Sequence, residues 1–191
     1  MSSMRKKMFS KLLLLTGFFV LGVSFLFFGC ATAPKTLNPA ITSPQVIVNP
    51  ESISLGVAAL TGTKIVFEGS GFKPEDDVFI SLIGANDIDV PIAYAKVGSD
   101  GKFTAPIEDL TKITGILRAT VTSKYAKDGK QAVIPVITQP SIPAGAYTAK
   151  ATSMLSDLTA ETNFTLKKPS VGDRLKDWLG KRMGKIQDKR S

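Results

Sequence analysis

The sequence predicts an all-β protein whose central region, residues 45–166, folds as an antiparallel β-sandwich. Apolar and polar residues alternate there with a period of two, in about seven to nine short stretches separated by turn residues. This alternation is typical of an antiparallel sheet with one covered face. No long amphipathic helix separates the stretches, which disfavours an α/β fold with helical crossovers.

The alternation is cleanest in the stretches that contain Tyr147 and Phe164. In these and in two earlier stretches it places the apolar residues on one side of a strand. We expect their central side chains to point into the core: Phe67, Ile80, Tyr147 and Phe164. Asp100-Gly101 separates two further stretches, and this dipeptide favours the positive φ angles of a tight hairpin. Residues 108–114 are expected to form one helical turn that ends at Gly115.

The first 29 residues have the parts of a bacterial secretory signal peptide. A basic start is followed by an uncharged apolar run, residues 12–28, which we expect to form the signal helix, and then by the small residue Gly29. Residues 27–30, Phe-Phe-Gly-Cys, resemble the lipobox of bacterial lipoproteins, a family that prefers Leu at the first of these positions and Ala or Ser at the second. The resemblance implies a mature chain that begins at Cys30, with diacylglycerol on its thiol and an acylated amino group.

An uncleaved membrane anchor is the alternative for this segment, because residues 12–28 lie at the lower edge of the ~17–25 residues that span a bilayer. We expect the chain in the cell envelope. The residue after the cysteine is Ala31 and not Asp, which resembles lipoproteins of the outer membrane, facing the periplasm or the cell surface. Residues 30–44 contain three prolines and no aromatic residue, so they are predicted to form a flexible tether.

The net charge of +8 is unevenly distributed. Residues 1–29 carry +4 and residues 167–191 carry +6, whereas residues 30–166 carry −2. The folded region therefore does not attract phosphates, and we expect no nucleic-acid partner. The sequence has no His, and its single Cys is the acylation candidate, so His-based catalysis and the usual zinc sites lack their residues. We expect no catalytic residue, no metal and no cofactor.

Two motifs rich in glycine and proline lie in the β-region. Residues 69–78 read Gly-Ser-Gly-Phe-Lys-Pro-Glu-Asp-Asp-Val, and residues 142–148 read Ile-Pro-Ala-Gly-Ala-Tyr-Thr. They resemble, respectively, the turn between the second and third strands and the start of the penultimate strand in bacterial immunoglobulin-like surface modules of the IPT/TIG kind. Glu75 stands where that family usually has Gly. The resemblance implies one immunoglobulin-like antiparallel β-sandwich over residues 45–166.

The C-terminal segment, residues 167–191, is predicted to form a basic amphipathic helix. Ser170 followed three residues later by Asp173 has the form of a capping box, which begins a helix. At helical spacing, six apolar residues form a stripe along one side: Val171, Leu175, Trp178, Leu179, Met183 and Ile186. One edge of this stripe is flanked by Arg174, Lys181 and Lys185, and the other edge by Lys176. The opposite face holds Asp177, Gly180, Gly184 and Asp188.

Two glycines, Gly180 and Gly184, make this helix marginal by itself, because each costs about 1 kcal/mol relative to Ala. We expect the helix to form mainly when another surface contacts its stripe. Three such surfaces are compatible with the sequence. The first is an anionic membrane, with Trp178 at the interface and the basic residues toward the headgroups. The others are a partner protein of the envelope and the protein's own β-sandwich.

Two acidic groupings are the remaining candidates for a site: Asp76-Asp77 and the pair Asp87 and Asp89. A calcium site needs about six to eight converging oxygen atoms, and no EF-hand or nonapeptide repeat supplies them here. We therefore expect solvated loops at both groupings.

Together these features predict a lipid-anchored cell-envelope protein that is not an enzyme and has a binding or structural role. Its expected contacts are the membrane, through Cys30 and the C-terminal helix, and an envelope protein or glycan of unknown identity. The alternative is an accessory subunit or domain of an envelope enzyme, such as a carbohydrate-active one. The sequence offers that alternative no convergent carboxylate pair and no run of exposed aromatic residues.

Overall fold

The computed structural model describes residues 33–125 and 131–190 of the chain. The predicted signal peptide, residues 1–29, and the acylation candidate Cys30 lie outside the described residues. Pro34–Ser191 form one compact unit, and most of its described buried apolar residues belong to one hydrophobic core.

β-Strands are the main secondary structure, and most strand pairs are antiparallel, so the all-β prediction is confirmed at this level. The strands are β1 (Gln45–Asn49), β2 (Ser52–Ser54), β3 (Val66–Ser70), β4 (Asp77–Gly84), β5 (Ile88–Lys96), β6 (Phe103–Pro106), β7 (Thr120–Tyr125), β8 (Gln131–Ile137), β9 (Gly145–Ser153), β10 (Thr159–Lys167) and β11 (Gln187–Asp188). The helices are α1 (Val57–Gly62), α2 (Asp109–Thr111), which continues as the π-helical turn Lys112–Ile116, and α3 (Val171–Arg182).

The described strands form three sheets, with the orders β1-β3-β6, β2-β10-β9-β4-β5 and β11-β8-β7. Two strand pairs are parallel, β2 with β10 and β11 with β8, and the other pairs are antiparallel. Inward side chains of the first two sheets share one core. Within it the rings of Phe67 from β3 and Phe164 from β10 lie 6.3 Å apart.

Burial along the strands follows the alternating sequence. The four side chains expected in the core are all buried: Phe67, Ile80, Tyr147 and Phe164. The opposite faces of β9 and β10 are polar, and there Lys150 lies opposite Glu161. The register is therefore strongly specified, because a slip of one residue would turn the whole apolar set of a strand to solvent.

Two turns with positive φ angles differ in the strands that they connect. Asn86 and Asp87 have φ angles of 58° and 56° in the tight turn that joins β4 to β5. Gly101 also has a positive φ, 72°, as Asp100-Gly101 predicts. The predicted hairpin around that dipeptide is wrong, however, because β5 pairs with β4 whereas β6 pairs with β3. This turn carries the chain from the second sheet to the first.

A helical segment precedes the third sheet. It covers residues 109–116 and so runs through Gly115, where the sequence predicts its end. Lys112 within it is buried, and its ammonium donates hydrogen bonds to the Thr63 backbone oxygen and the Asp109 carboxylate, both at 2.8 Å. Because Thr63 follows α1 directly, these bonds hold the helical segment against the end of α1.

The described part of the predicted tether, residues 33–44, contains neither helix nor strand. Two of its residues nevertheless bond to the strand that follows. The backbone of Lys35 and the side chain of Asn49 exchange two hydrogen bonds, of 2.8 and 2.9 Å. The backbone of Asn38 and the side chain of Gln45 do the same at 3.0 and 2.8 Å. These bonds hold this stretch at both ends of β1.

Phe67→Ala tests the assignment of the core face. Phe67 is fully buried against Phe164, so its truncation should lower the unfolding free energy by about 3–5 kcal/mol. Thr152→Ala, on the exposed face of β9, should change it by less than about 1 kcal/mol. Urea denaturation of both variants measures the difference, and equal midpoints would contradict the assignment.

Candidate interface on the C-terminal helix

Helix α3 begins at the capping box that the sequence indicates. The Ser170 hydroxyl accepts a hydrogen bond from the Asp173 backbone N–H at 3.1 Å, and the Asp173 carboxylate accepts one from the Ser170 N–H at 2.9 Å. The box pairs two backbone donors that a helix start leaves without partners. The carboxylate also lies at the positive end of the helix dipole, which stabilises the first turn.

Helix α3 ends before the apolar pattern does. Gly184 follows it with a φ of 70°, in the left-handed region that glycine adopts readily. The Gly184 N–H donates to the Lys181 oxygen at 3.1 Å, and the Lys185 N–H donates to the Gly180 oxygen at 2.8 Å. These two bonds form a Schellman motif, which turns the chain back across the last turn of the helix.

Ile186 therefore does not extend the stripe, and its predicted place on the interface is wrong. The side chain is 6% exposed and belongs to the core. The chain after it forms β11, which pairs with β8, and the Lys189 N–H then donates to the Ile137 oxygen at 2.8 Å. Helical spacing fails at Ile186 because Gly184 has already ended the helix.

The face of α3 that packs on the rest of the protein is polar. The Ser54 hydroxyl donates to the Asp173 carboxylate at 2.7 Å. One turn later, the two oxygens of Asp177 accept the backbone N–H groups of Val57 and Ala58, at 3.0 and 2.9 Å. These residues begin α1, which has no side-chain cap of its own. Asp177 therefore caps α1 from another helix.

The Asp173 carboxylate has a perturbed acidity. Hydrogen bonds from the Ser54 and Ser170 hydroxyls hold its pKa below the ordinary value of 3.8. A carboxyl pKa that is lower in the folded state stabilises the fold above its unfolded-state value, and the stabilisation is lost as the pH falls through the folded-state pKa. The contact between α3 and Ser54 is thus fully formed at neutral pH and weakens in acid.

The close approach of α1 and α3 requires a glycine at position 56. A Cβ atom on Gly56 would lie 2.7 Å from the Cβ atom of Asp173, well inside the contact distance of two carbon atoms. The backbone angles of Gly56 are ordinary for any residue, with φ −62° and ψ 135°. Space, and not backbone conformation, is therefore what excludes a side chain here.

With its acidic face inward, α3 turns its apolar stripe to solvent. Five residues, which we call the exposed stripe, are 42–84% exposed: Val171, Leu175, Trp178, Leu179 and Met183. Arg182 lies among them, with its guanidinium 5.6 Å from the centre of the Trp178 ring. The helix is present with this stripe exposed, and the residues of its polar side supply its contacts with Ser54 and Val57. The described part of the protein does not cover the stripe.

Some charged residues of the tail pair with each other, and others do not. Asp188 accepts hydrogen bonds from Arg190, at 2.9 and 2.7 Å, and from Lys181 at 2.6 Å, and these bonds hold the pKa of its carboxyl well below its usual range. Lys181 is thus engaged within the tail. Lys185 forms no ion pair among the described residues. The carboxylates of Asp173, Asp177 and Asp188 all accept hydrogen bonds from protein groups. The solvent-exposed side of the tail is therefore apolar and basic.

One acidic grouping has a structural role. Asp76 is 1% exposed, so the predicted solvated loop is wrong there. Its carboxylate accepts hydrogen bonds from the Ser153 and Ser156 hydroxyls, both at 2.6 Å, and from two backbone N–H groups. These bonds lower the pKa of Asp76 and join the turn before β4 to the loop after β9. Asp87, in the β4–β5 turn, and Asp89, in β5, are both exposed.

The sequence does not predict the docking role of Asp173 and Asp177. It assigns the first to the capping box alone and the second to an open polar face. Their spacing of four places both on one side of a helix, and Gly180, which is buried, lies on the same side. A Cβ atom on Gly180 would lie 2.7 Å from Cδ1 of Ile186. This glycine therefore makes room for the chain that turns back after α3 and does not signal the contact with α1.

Comparison with known proteins assigns no family. No protein-family model matches the chain, and no curated protein does. Within the described ranges, no helix has both the length and the apolar character needed to cross a bilayer. In residues 33–125 and 131–190, no three His, Cys, Asp or Glu side chains are grouped as a metal site requires. The interface is therefore assigned from the geometry of α3.

Gly56→Ala should loosen α3 without changing any charge, because the added methyl group meets the Asp173 side chain. We expect faster amide hydrogen exchange in α3 and an unfolding free energy lower by about 1–3 kcal/mol, as for other overpacked sites. Gly62→Ala is the matched control, since it lies in the same short helix with open space around the new methyl group. Hydrogen exchange followed by mass spectrometry compares the variants. Equal protection of α3 in both would contradict the docking assigned to Asp173.

Proposed function

We propose that this protein is a lipid-anchored component of the bacterial cell envelope with a binding or structural role. In this proposal an immunoglobulin-like module is held on the outer membrane through acylated Cys30, facing the periplasm or the cell surface. Helix α3 makes a second contact, with anionic lipid. The single observation that carries the proposal is the exposed stripe of α3, bordered by cations while the tail's carboxylates bind the protein.

The strand order supports the immunoglobulin-like module. Such domains pair strands A, B and E in one sheet and strands G, F and C in the other, to which variable-type domains add C′. If β1, β3 and β6 are A, B and E, the second sheet contains β10, β9, β4 and β5 in the order G, F, C and C′. The helical segment and the β7–β8 hairpin then form an insertion between E and F.

Two local conformations support the same module. The Tyr147 hydroxyl donates to the backbone oxygen of Pro143, 2.7 Å away and four residues upstream. Immunoglobulin-like domains have a corresponding tyrosine corner near the start of strand F. Glu75 has a φ of 64°, the left-handed conformation that favours glycine, and it stands where the IPT/TIG motif has Gly. Both features lie in the two motifs that carry the resemblance.

The lipid anchor is supported by the position of the only cysteine. Cys30 directly follows the apolar run and Gly29, where a lipoprotein carries its acyl groups. Each buried CH₂ of an acyl chain contributes about 0.8 kcal/mol to membrane binding. An anchored chain also keeps α3 at a high effective concentration near the bilayer, so a weak second contact is sufficient.

The residue composition of the solvent-exposed face of α3 favours contact with anionic lipid. A helix that lies in the headgroup region has Trp and aliphatic residues on one face and Lys and Arg beside them, as α3 has. Each cation near an anionic surface contributes about 1 kcal/mol. Residues 167–191 carry +6 whereas residues 30–166 carry −2, so this attraction is concentrated on the tail.

Replacement of Cys30 tests the anchor. In cells grown with radioactive palmitate, the wild-type protein should be labelled, and Cys30→Ala should be unlabelled and remain unprocessed, because it lacks the thiol that accepts the diacylglyceryl group. A Ser3→Ala variant, altered before the apolar run, should be labelled normally. An unlabelled wild-type protein would refute the lipoprotein proposal.

Leu175→Asp tests the contact between α3 and lipid. In the chain that begins at Ala31 and carries no acyl group, this change places a charge in the exposed stripe. We expect its binding to phosphatidylglycerol vesicles to fall about tenfold or more, because both the apolar contact and about 1 kcal/mol of electrostatic attraction are lost. Co-sedimentation measures the binding, which salt should weaken by screening.

Ile41→Asp is the charge-matched control for this experiment. Ile41 is 43% exposed and lies outside the tail, so the variant adds the same negative charge without altering the stripe. It should bind vesicles nearly as well as the wild-type chain. If both variants lost the same amount of binding, the loss would be explained by net charge alone. If the wild-type chain did not bind vesicles at low salt, the lipid contact would be refuted and a protein partner would be the expected contact of the stripe.

A further inference from the structure

A groove of about 1010 Å³ runs along the flank of α3 that lies away from Trp178. Its walls are the β7–β8 hairpin, the helices α1 and α2, and the end of α3. Trp178 lines a separate depression on the other flank of the helix. The groove is therefore distinct from the exposed stripe, although Met183 belongs to both.

Apolar side chains line most of this groove. Four large ones are 40–61% exposed: Leu110, Val121, Val133 and Met183. Ile113, Pro135 and Ile186 also line the groove and are buried, so they form its floor. A concave surface with this much exposed apolar area is typical of a binding site and not of a solvated face.

The charged residues of the groove are mostly positive. Lys176 and Lys185 line it on the α3 side, and neither forms an ion pair among the described residues. The one carboxylate in the lining, Asp109, accepts a hydrogen bond from the Lys112 ammonium at 2.8 Å. The groove thus combines an apolar interior with a positive edge.

We propose that this groove binds the acyl chain of an anionic single-chain amphiphile, with the headgroup at Lys176 and Lys185. Its volume is at the upper end of the ~300–1,000 Å³ of small-molecule sites, and an acyl chain is apolar along its length, as the lining is. A carboxylate or phosphate headgroup accepts charge-assisted hydrogen bonds from lysine. Free fatty acids and lysophospholipids share this chemistry. The site shares only Met183 with the exposed stripe, so its test is separate from that of the lipid contact.

Displacement of a fluorescent fatty acid tests the groove. The chain that begins at Ala31 contains the whole compact unit Pro34–Ser191 and no acyl group that would compete. It is titrated with cis-parinaric acid below the micelle concentration, and the bound probe is displaced by oleate, by oleoyl-lysophosphatidylglycerol or by uncharged monoolein. At least one anionic compound should displace the probe at concentrations tenfold or more below those of monoolein. The better of the two anionic compounds identifies the source of the ligand.

Variants locate the bound probe. Val133→Asp places a carboxylate in the apolar wall and should weaken probe binding tenfold or more. Val133 is 60% exposed, so this variant should keep the unfolding midpoint of the wild-type chain. Ile41→Asp adds the same charge outside the groove, and Leu175→Asp adds it to the exposed stripe, so both should bind the probe normally. Lys176→Gln combined with Lys185→Gln should abolish the preference for anionic compounds.

Several outcomes would overturn the proposal. They are the absence of probe binding, equal displacement by monoolein, and normal binding to Val133→Asp. Loss of binding in Leu175→Asp would also overturn it, because the probe would then lie on the exposed stripe. If the chain bound the probe but not phosphatidylglycerol vesicles, the result would support the ligand site in the groove. It would refute only the proposed membrane contact of α3.

Discussion

The position of helix α3 depends on two carboxylates, Asp173 and Asp177. They lie one turn apart and accept hydrogen bonds from Ser54 and from the first backbone N–H groups of α1. Hydrogen bonds to a charged acceptor are stronger than those between neutral groups, and here they hold the polar side of the helix inward. The exposure of the apolar stripe and the basic character of the open face both follow from this orientation.

The β-region was largely predictable because its signal is local. Alternate residues of a strand share a face wherever the strand lies, so the burial of Phe67 and Phe164 follows from the sequence alone. The choice of strand partners does not. Asp100-Gly101 specifies a turn, but the separation of β5 and β6 into different sheets depends on contacts with β3 and β4, which lie elsewhere in the sequence.

The same distinction explains what could be predicted for the tail. The capping box at Ser170 is encoded within four residues and is present in the structure. A helical wheel shows which residues share a side but not which side meets the protein. The backbone group that Asp177 binds, at Val57, lies 120 residues away in the sequence. The groove walls likewise come from four separate parts of the chain, so no sequence motif indicates them.

Helix α3 is fixed at both ends, by Asp173 at its first turn and by the pairing of β11 with β8 just beyond its last. A segment that folds only on contact spends about 2–5 kcal/mol of its interaction energy on ordering. This helix is already ordered, so its contacts carry a smaller entropic cost. Rigid attachment also couples the helix to the β-sheets mechanically. A surface that holds the helix would therefore also set the angle between that surface and the β-sheets.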